Sequence, residues 1–429
     1  MANKRTIDDF FGGKESKKLR MLGNWSSIET VQIYQTLNFQ MKPWVYGFDL
    51  DSTLVVTSSG KRFSKDAKDW KFAYPNVRSH LHKLCSEENA CFVIFSNQGG
   101  IGKKKVSLEE FKEKIQSIVD ALDLPVLVMA AVEDDIFRKP RPGMWELLLQ
   151  RAALAKVEIE RERCFFTGDA AGRAVSAGDG KKKKDFSASD YHFALNIGVK
   201  FRTPEEVFLH ALAQPTLDVG CTLYPAQFNQ PTHANNKTGV WDFEGHFSQA
   251  PSQCQPVMIL VVGAPASGKS HFAQQIVAIA QKHGHDIAYV NMDSQSKASC
   301  LRTVRTAVEA GQSVIVDNTN SSVRNRNDYL SLCPEPSSSR NYGKHALIIE
   351  SDLDRCRHLN TFRRLTGGRH VPTVAMHTYF KRLELPTEAE GFHSVSTITW
   401  PWKWEDSDQV VQQGPVNIPA TTLLTSYLF

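Results

Sequence analysis

No apolar run in the 429 residues approaches the roughly 18 needed to cross a bilayer, which excludes a membrane-spanning helix. The opening stretch MANKRTIDDFFGGKESKKLR has no apolar centre and is not a secretory signal. The eight cysteines are scattered, with no C-x-x-C pair. That argues against a disulfide framework and a zinc site, and fits reduced thiols in a cytosolic or nuclear protein. An internal repeat is also missing. The two halves share a rhythm but no motif.

What is present is ordinary globular material with a basic bias. Hydrophobic residues make up 41% and charged residues 23%, enough for two domains with real cores. The net charge of +5 is modest, but it is clustered in KRT, KKLR, GKKK (Gly102 to Lys105) and KKKK (Lys181 to Lys184). One such run reads equally well as a solvated loop; several in one chain favour an anionic partner.

Two stretches of strand–helix alternation are separated by a fading pattern. The first carries the apolar runs WVYGFDL, CFVIFSN, PVLVMAAV, CFFTGD and HFALNIG, all read as strands. Between them, Ser107 with Glu110 opens an amphipathic helix through Leu108, Phe111, Ile115, Ile118 and Val119. PGMWELLLQRAALAK gives a second helix, with Pro142 in its first turn. The second stretch runs through VMILVV, DIAYVNMD, SVIVDNTN and HALIIESD. The expected boundaries are a basic tail over 1–22, an α/β domain over 23–215, a linker over 216–255 rich in Gln, Asn, Pro and Ser, and a second α/β domain over 256–429. Alternation of this kind implies parallel sheets with helices on both faces.

In the second half, Gly263, Ala264, Pro265, Ala266, Ser267, Gly268, Lys269 and Ser270 match G-x-x-x-x-G-K-[ST] between a strand and a helix. Loop N–H groups there bind phosphate oxygens, Lys269 reaches the outer phosphates and Ser270 can ligate magnesium. Asp293 and Asp317 stand at strand ends, facing the ligand crevice of such a sheet. Asp293 can accept a proton from an attacking hydroxyl, or it can be a helix cap. Asp317 can support magnesium or position a neighbour. The arginine-rich stretch RCRHLNTFRRLTGGRH, with its Gly-Gly, reads as a mobile cover or as a solvated basic helix.

The first half lacks a phosphate cradle of that kind, so its phosphate chemistry must differ. Asp49 and Asp51 alternate along an extended chain and would point apart in a regular strand. A turn at the strand end can bring both into one pocket, one to attack phosphorus and one to move a proton. A pair of turn-forming aspartates is the bland alternative. Ser96 and Asn97 end another strand, Lys139 precedes a helix, and Asp169 ends a further strand.

An aspartate pair, a hydroxyl, a lysine and a later acid, in that order on strand ends, resemble the haloacid dehalogenase superfamily. The likeness goes further. GFDLDSTL, KDWKFAYPNV, VIFSNQGGIG, RKPRPGMW, GDAAGR, KKKKDFSASDYHFALNIGVKFRTPEE, GAPASGKS, VDNTN and PTEAEGF follow one another in a single chain. This order, over about residues 41–395, resembles the polynucleotide kinase 3′-phosphatase family. The resemblance implies a phosphatase of haloacid dehalogenase type followed by a P-loop kinase. Such a chain removes 3′-phosphates and adds 5′-phosphates at DNA strand breaks, in the nucleus, with Mg²⁺ and ATP. It implies Asp49 as nucleophile, Asp51 as general acid and Ser96, Asn97 and Lys139 at the phosphate. Mg²⁺ would sit on Asp49, Asp169 and the Asp51 carbonyl. In the kinase it implies Gly263 to Ser270 at ATP·Mg²⁺, Arg363 at the lid and Asp293 as base. Three departures stand out. Ser52 replaces the usual Gly after the second aspartate, DSQSKASC is less basic than usual after Asp293, and Thr361 takes the place of a lid arginine before Phe362 and Arg363. Relatives in vertebrates carry an N-terminal phosphopeptide-binding domain that forty residues cannot hold, so recruitment is expected to differ. KRTIDDFF (Lys4 to Phe11) resembles the peptide that docks on the sliding clamp, with Lys4 where glutamine is usual; Phe10 and Phe11 could equally pack on the phosphatase domain. A metabolite phosphatase fused to a small-molecule kinase, or a non-catalytic DNA-end scaffold, are the readings from other classes.

Overall fold

The computed structural model describes residues 21–87, 89–173, 185–212, 241–334, 341–398 and 410–419. The clamp-like peptide at Lys4 to Phe11 and the run Lys181 to Lys184 lie outside them. Two compact units divide the chain near residue 220, and residues 412–417 belong with the first.

The first unit opens with a hairpin, β1 (Gly23–Ile28) and β2 (Val31–Thr36), followed by β3 (Trp44–Phe48). A small pair, β4 (Val55–Val56) and β5 (Lys71–Phe72), leads to α1 (Val77–Cys85) and β6 (Ala90–Asn97). Then come α2 (Gly99–Gly102), α3 (Leu108–Leu122), β7 (Val126–Ala131), α4 (Gly143–Leu154) and β8 (Phe165–Thr167). The unit closes with α5 (Ser189–Ile197), β9 (Lys200–Arg202) and α6 (Pro204–Phe208). The sheet order is β1-β2-β7-β6-β3-β8-β9. From β7 to β9 all pairings are parallel, and only the β1–β2 hairpin adds antiparallel edges. β6 and β7 are buried on both faces, which is why they read as unbroken apolar runs.

One strand assignment is corrected. HFALNIG is helix, the body of α5. Phe193, Ala194 and Ile197 bury one helical face, and Gly198 ends the helix at φ 68°. The apolar run is too short for its periodicity alone to separate helix from strand.

The second unit begins earlier than expected. Residues 241–255, assigned above to the linker, carry α7 (Phe243–Phe247), capped by Asp242 and anchored by the fully buried Phe247. Then follow β10 (Val257–Val262), α8 (Lys269–Lys282), β11 (Ile287–Asn291), α9 (Lys297–Ala310) and β12 (Ser313–Asp317). After α10 (Val323–Leu330) and β13 (Gly343–Ile349) come α11 (Leu353–Leu365), α12 (Thr373–Arg382) and β14 (Ser394–Ile398). The sheet β11-β12-β10-β13-β14 is parallel throughout. A final hairpin, β15 (Val410–Gln413) and β16 (Val416–Pro419), returns residues 412–417 to the first unit. There Gln413 Nε2 donates to Asp135 and Gln150 Nε2 donates to the Pro415 carbonyl. No helix among the described residues is long and apolar enough to cross a membrane.

Candidate active sites

Three neighbouring strands, β6, β3 and β8, end side by side in the first unit. β3 stops at Phe48, and the chain then turns. Leu50, between the two aspartates, is fully buried, as is Leu54. Burying each stabilises the turn by about 1.5–3 kcal/mol. The Leu50 carbonyl accepts from both Leu54 N and Val55 N. Leu50 thus faces the core, and the carboxylates either side take different surroundings: Asp49 is buried and Asp51 is half exposed. Ser52 follows at φ 65°, a left-handed conformation that glycine adopts without strain. That is the physical reason glycine suits the position after the second aspartate.

Asp49 and Asp169 share a pocket with a third carboxylate, Asp190 of α5, their ligand oxygens all within 4.8 Å of one another. Lys139 Nζ lies 2.7 Å from both Asp49 Oδ1 and Asp190 Oδ1. Burial pushes Asp49 well above the ordinary carboxylate range; Lys139 pulls it down, and the charges of Asp190 and Asp169 add to the rise. Asp169 is pushed up to about 7, by burial first and then by Asp190, against Lys139. Burial opposes the Lys139 charge, but Asp190 and Asp49 hold its ammonium above the usual value. With all three ionised, three carboxylates against one ammonium leave two surplus negative charges, which is what drives two of them toward their protonated forms while no cation is bound. That surplus and the all-oxygen donor set fit a divalent cation such as magnesium.

The supporting contacts are local. Thr53 Oγ1 accepts from Asp169 N at 3.0 Å. Gly168 leaves room for Asp190, since a Cβ there would sit 2.3 Å from Asp190 Oδ2. Asn97, expected at the phosphate, has both amide atoms on the Lys139 backbone, at 3.0 and 2.9 Å. Ser96 is buried, and its hydroxyl accepts from Gln98 Nε2, which also donates to Asp51 Oδ2. Asp190 and Gln98 were missed at the sequence level. The available signal for Asp190 was an acid at the start of a helix shortly after GDAAGR.

Asp51 opens onto a groove of about 740 Å³. Lys61, Arg62, Lys65, Lys71, Lys105 and Lys114 line it, the fifth from the GKKK run. Two aromatics, Phe63 and Phe186, are 75% and 90% exposed, and the Arg62 guanidinium lies 5.4 and 5.0 Å from their rings.

The second unit has its own site around Gly263 to Ser270, between β10 and α8. Ala266 and Gly268 adopt φ 61° and 87°, and Lys269 is the first residue of α8. Burial lowers the Lys269 ammonium, while Asp317 and Asp293 work to hold it charged. Asp317, at the end of β12, is 1% exposed. Its Oδ2 accepts from Tyr289 and Asn291 at 2.6 and 2.9 Å, and its Oδ1 accepts nothing among the described residues. An orphaned carboxylate oxygen beside Lys269 and Ser270 fits a magnesium-bound nucleotide. Asp293 lies two residues past β11 rather than at its end, and Arg363 of α11 reaches to 4.0 Å from it. The rest of VDNTN after Asp317, and PTEAEGF, hold the scaffold. Asn320 Nδ2 holds the Val261 and Val316 carbonyls, and the fully buried Arg326 forms a two-pronged pair with Glu390.

Each unit is therefore built for phosphoryl groups, one on a buried carboxylate cluster and the other on a nucleotide cradle. Residues 44–208 match the family model for the polynucleotide kinase 3 phosphatase, and residues 258–386 match that of an AAA domain. The bifunctional polynucleotide phosphatase/kinase of Schizosaccharomyces pombe is 32% identical over 381 residues, covering 87% of this chain and 84% of that protein. The polynucleotide 3′-phosphatase of Saccharomyces cerevisiae is 30% identical over 215 residues, 38% of this chain and 87% of its own. The chain belongs to the bifunctional polynucleotide phosphatase/kinase family.

Proposed function

We propose that the first unit removes 3′-phosphates from DNA and the second phosphorylates 5′-hydroxyls with ATP. One nuclear repair enzyme would thereby make both ends of a strand break ligatable. In the first unit, Asp49 attacks phosphorus and forms an aspartyl-phosphate. The bond to the 3′-oxygen breaks, and Asp51 protonates that leaving oxygen. Asp51 then takes a proton from water, whose oxygen displaces Asp49 and releases inorganic phosphate. Ser96 and Lys139 hold the phosphoryl oxygens. Magnesium, held by Asp49, Asp169 and the Asp51 carbonyl, would neutralise charge between the carboxylates and the phosphate. In the second unit, Asp293 takes the proton of the 5′-hydroxyl as its oxygen attacks the γ-phosphorus. Lys269 and Arg363 stabilise the transferring group, and Ser270 and Asp317 provide the place for the nucleotide's magnesium.

The observation that carries this reading is the buried Asp49–Asp169–Asp190–Lys139 cluster opening through Asp51 onto a groove with six cations. Cations along a groove suit a strand backbone, and the exposed Phe63 and Phe186 suit unpaired bases. The test is an oligonucleotide bearing a 3′-phosphate and a 5′-hydroxyl, incubated with and without ATP. Phosphate release should need no ATP, and 5′-phosphorylation should need it. Asp49→Asn should abolish only the first activity and Lys269→Ala only the second. Normal phosphate release by Asp49→Asn would refute the nucleophile.

A further inference from the structure

Lys114 raises a question that the groove's other cations do not. The side-chain cations of Lys61, Arg62, Lys65, Lys71 and Lys105 line the groove and form no ion pair with a carboxylate within 4.0 Å among the described residues. Lys114 instead places Nζ 2.8 Å from Asp51 Oδ1, with its side chain 13% exposed. The other Asp51 oxygen is held by Gln98 Nε2 at 2.8 Å. Both oxygens are thus engaged on the side where a leaving group must sit. The two holds differ in kind. Gln98 is a short amide also fixed to Ser96. Lys114 is a charge on a flexible stem, carried by a helix whose backbone is fixed by buried Phe111, Ile115, Ile118, Val119 and Leu122.

We propose that Lys114 is a specificity-determining residue that exchanges partners when a strand enters. In the free enzyme it covers Asp51. An internucleotide phosphate in the groove, next to the 3′-phosphate being removed, draws the ammonium away and uncovers the Asp51 oxygen for the leaving group. The exchange trades one anion for another, so it is nearly balanced for a polynucleotide. A small phosphomonoester has no second phosphate and leaves Lys114 on Asp51. The pair therefore selects phosphate carried by a polyanionic chain over phosphate on a small alcohol. This inference rests on the reading of the first unit as a polynucleotide 3′-phosphatase.

The experiment compares kcat/KM for an oligonucleotide 3′-phosphate with kcat/KM for thymidine 3′-monophosphate, which has the same leaving alcohol and no second phosphate, using the full chain and magnesium. Lys114→Gln should lower the ratio of the two at least about tenfold, and Lys114→Arg should keep it near wild type. The dependence of log kcat/KM on log salt for the oligonucleotide should lose about 0.7 in slope in Lys114→Gln, the share of one phosphate contact on a single strand. A parallel fall on both substrates would make Lys114 a general support of the site and overturn the proposal, as would an unchanged ratio. If the wild-type chain released no phosphate from the oligonucleotide but hydrolysed the mononucleotide, the polynucleotide reading itself would fall, and this inference with it.

Discussion

Asp190→Asn probes the residue that ties the phosphatase site together. Asp190 Oδ1 receives Lys139 Nζ at 2.7 Å, and Oδ2 receives Ala170 N at 3.1 Å. Both partners are donors. An asparagine of the same shape has one oxygen and one NH₂, so one of the two donors must face another donor. The side chains of Lys139 and Asp190 are 1% and 3% exposed, so water cannot repair the mismatch. A charge-assisted hydrogen bond lost in such surroundings costs about 1.5–3 kcal/mol. If half to all of that falls on the placement of Lys139 at the phosphate, kcat/KM for 3′-phosphate release drops roughly 4- to 160-fold, at 1.36 kcal/mol per decade. The cluster's surplus charge also falls from two to one, so the half-saturating magnesium concentration should rise. The assay is phosphate release from a 3′-phosphorylated oligonucleotide across a magnesium titration, with 5′-phosphorylation by the same samples as the internal control. Phosphatase kinetics within threefold of wild type at every magnesium concentration would refute the reasoning.

The remaining expectations follow from other contacts. Asp169 titrates near 7, well above an unfolded carboxyl near 4, so between these values the folded state binds the extra proton and loses stability as pH rises. Magnesium needs the carboxylate, so the thermal stabilisation it gives the phosphatase unit should grow from pH 5.5 to pH 8; a shift independent of pH would contradict the assignment. Ser52→Gly should relieve left-handed strain at φ 65° and raise stability by up to about 1 kcal/mol in denaturant unfolding, whereas a loss of stability would show that the serine side chain matters more. Arg326→Ala strands the buried Glu390 and should destabilise the kinase unit by about 3–5 kcal/mol while 3′-phosphate release survives. Survival of normal kinase stability would mean that Glu390 finds another partner.

Much of this architecture is visible in the chain itself, because parallel strands are buried on both faces. VYGF, CFVIFS and VMILVV can hardly be anything else, and a reactive group placed right after such a run sits at the C-terminal end of a sheet's strands. Asp49 is legible for that reason, and Lys269 from the G-x-x-x-x-G-K-[ST] loop that follows VMILVV. The hairpin Gly23–Ile28 and Val31–Thr36 is not, since GNWSSI and VQIYQT alternate with polar residues at a sheet edge. Nor is α5, whose apolar density hides its helical period. Residues 241–248 look like more linker, until Phe243 and Phe247 are seen packed against the P-loop sheet's core.

The parts of the phosphatase site that stayed hidden have a common cause. Asp49, Asp51 and Asp169 are each announced by the strand before them. Asp190 enters from a helix 21 residues past the last of these, and Lys114 from the polar side of an amphipathic helix 63 residues after Asp51. A lysine on the polar face of a helix has the same local signature whether it meets water or a carboxylate. Only the packing of α3 beside β6 decides, and that packing is set by Phe111, Ile115 and Ile118 on the helix's other face. The residues proposed to make and break bonds are therefore marked by local sequence, whereas those that surround them with charge are marked only by tertiary contact. Charge neutrality offers a way back. Asp49 and Asp169 in one buried pocket with a single lysine leave a deficit of positive charge, so a cation site is expected before any third carboxylate is found. An acid such as Asp51 beside a polyanion's path likewise calls for a nearby cation.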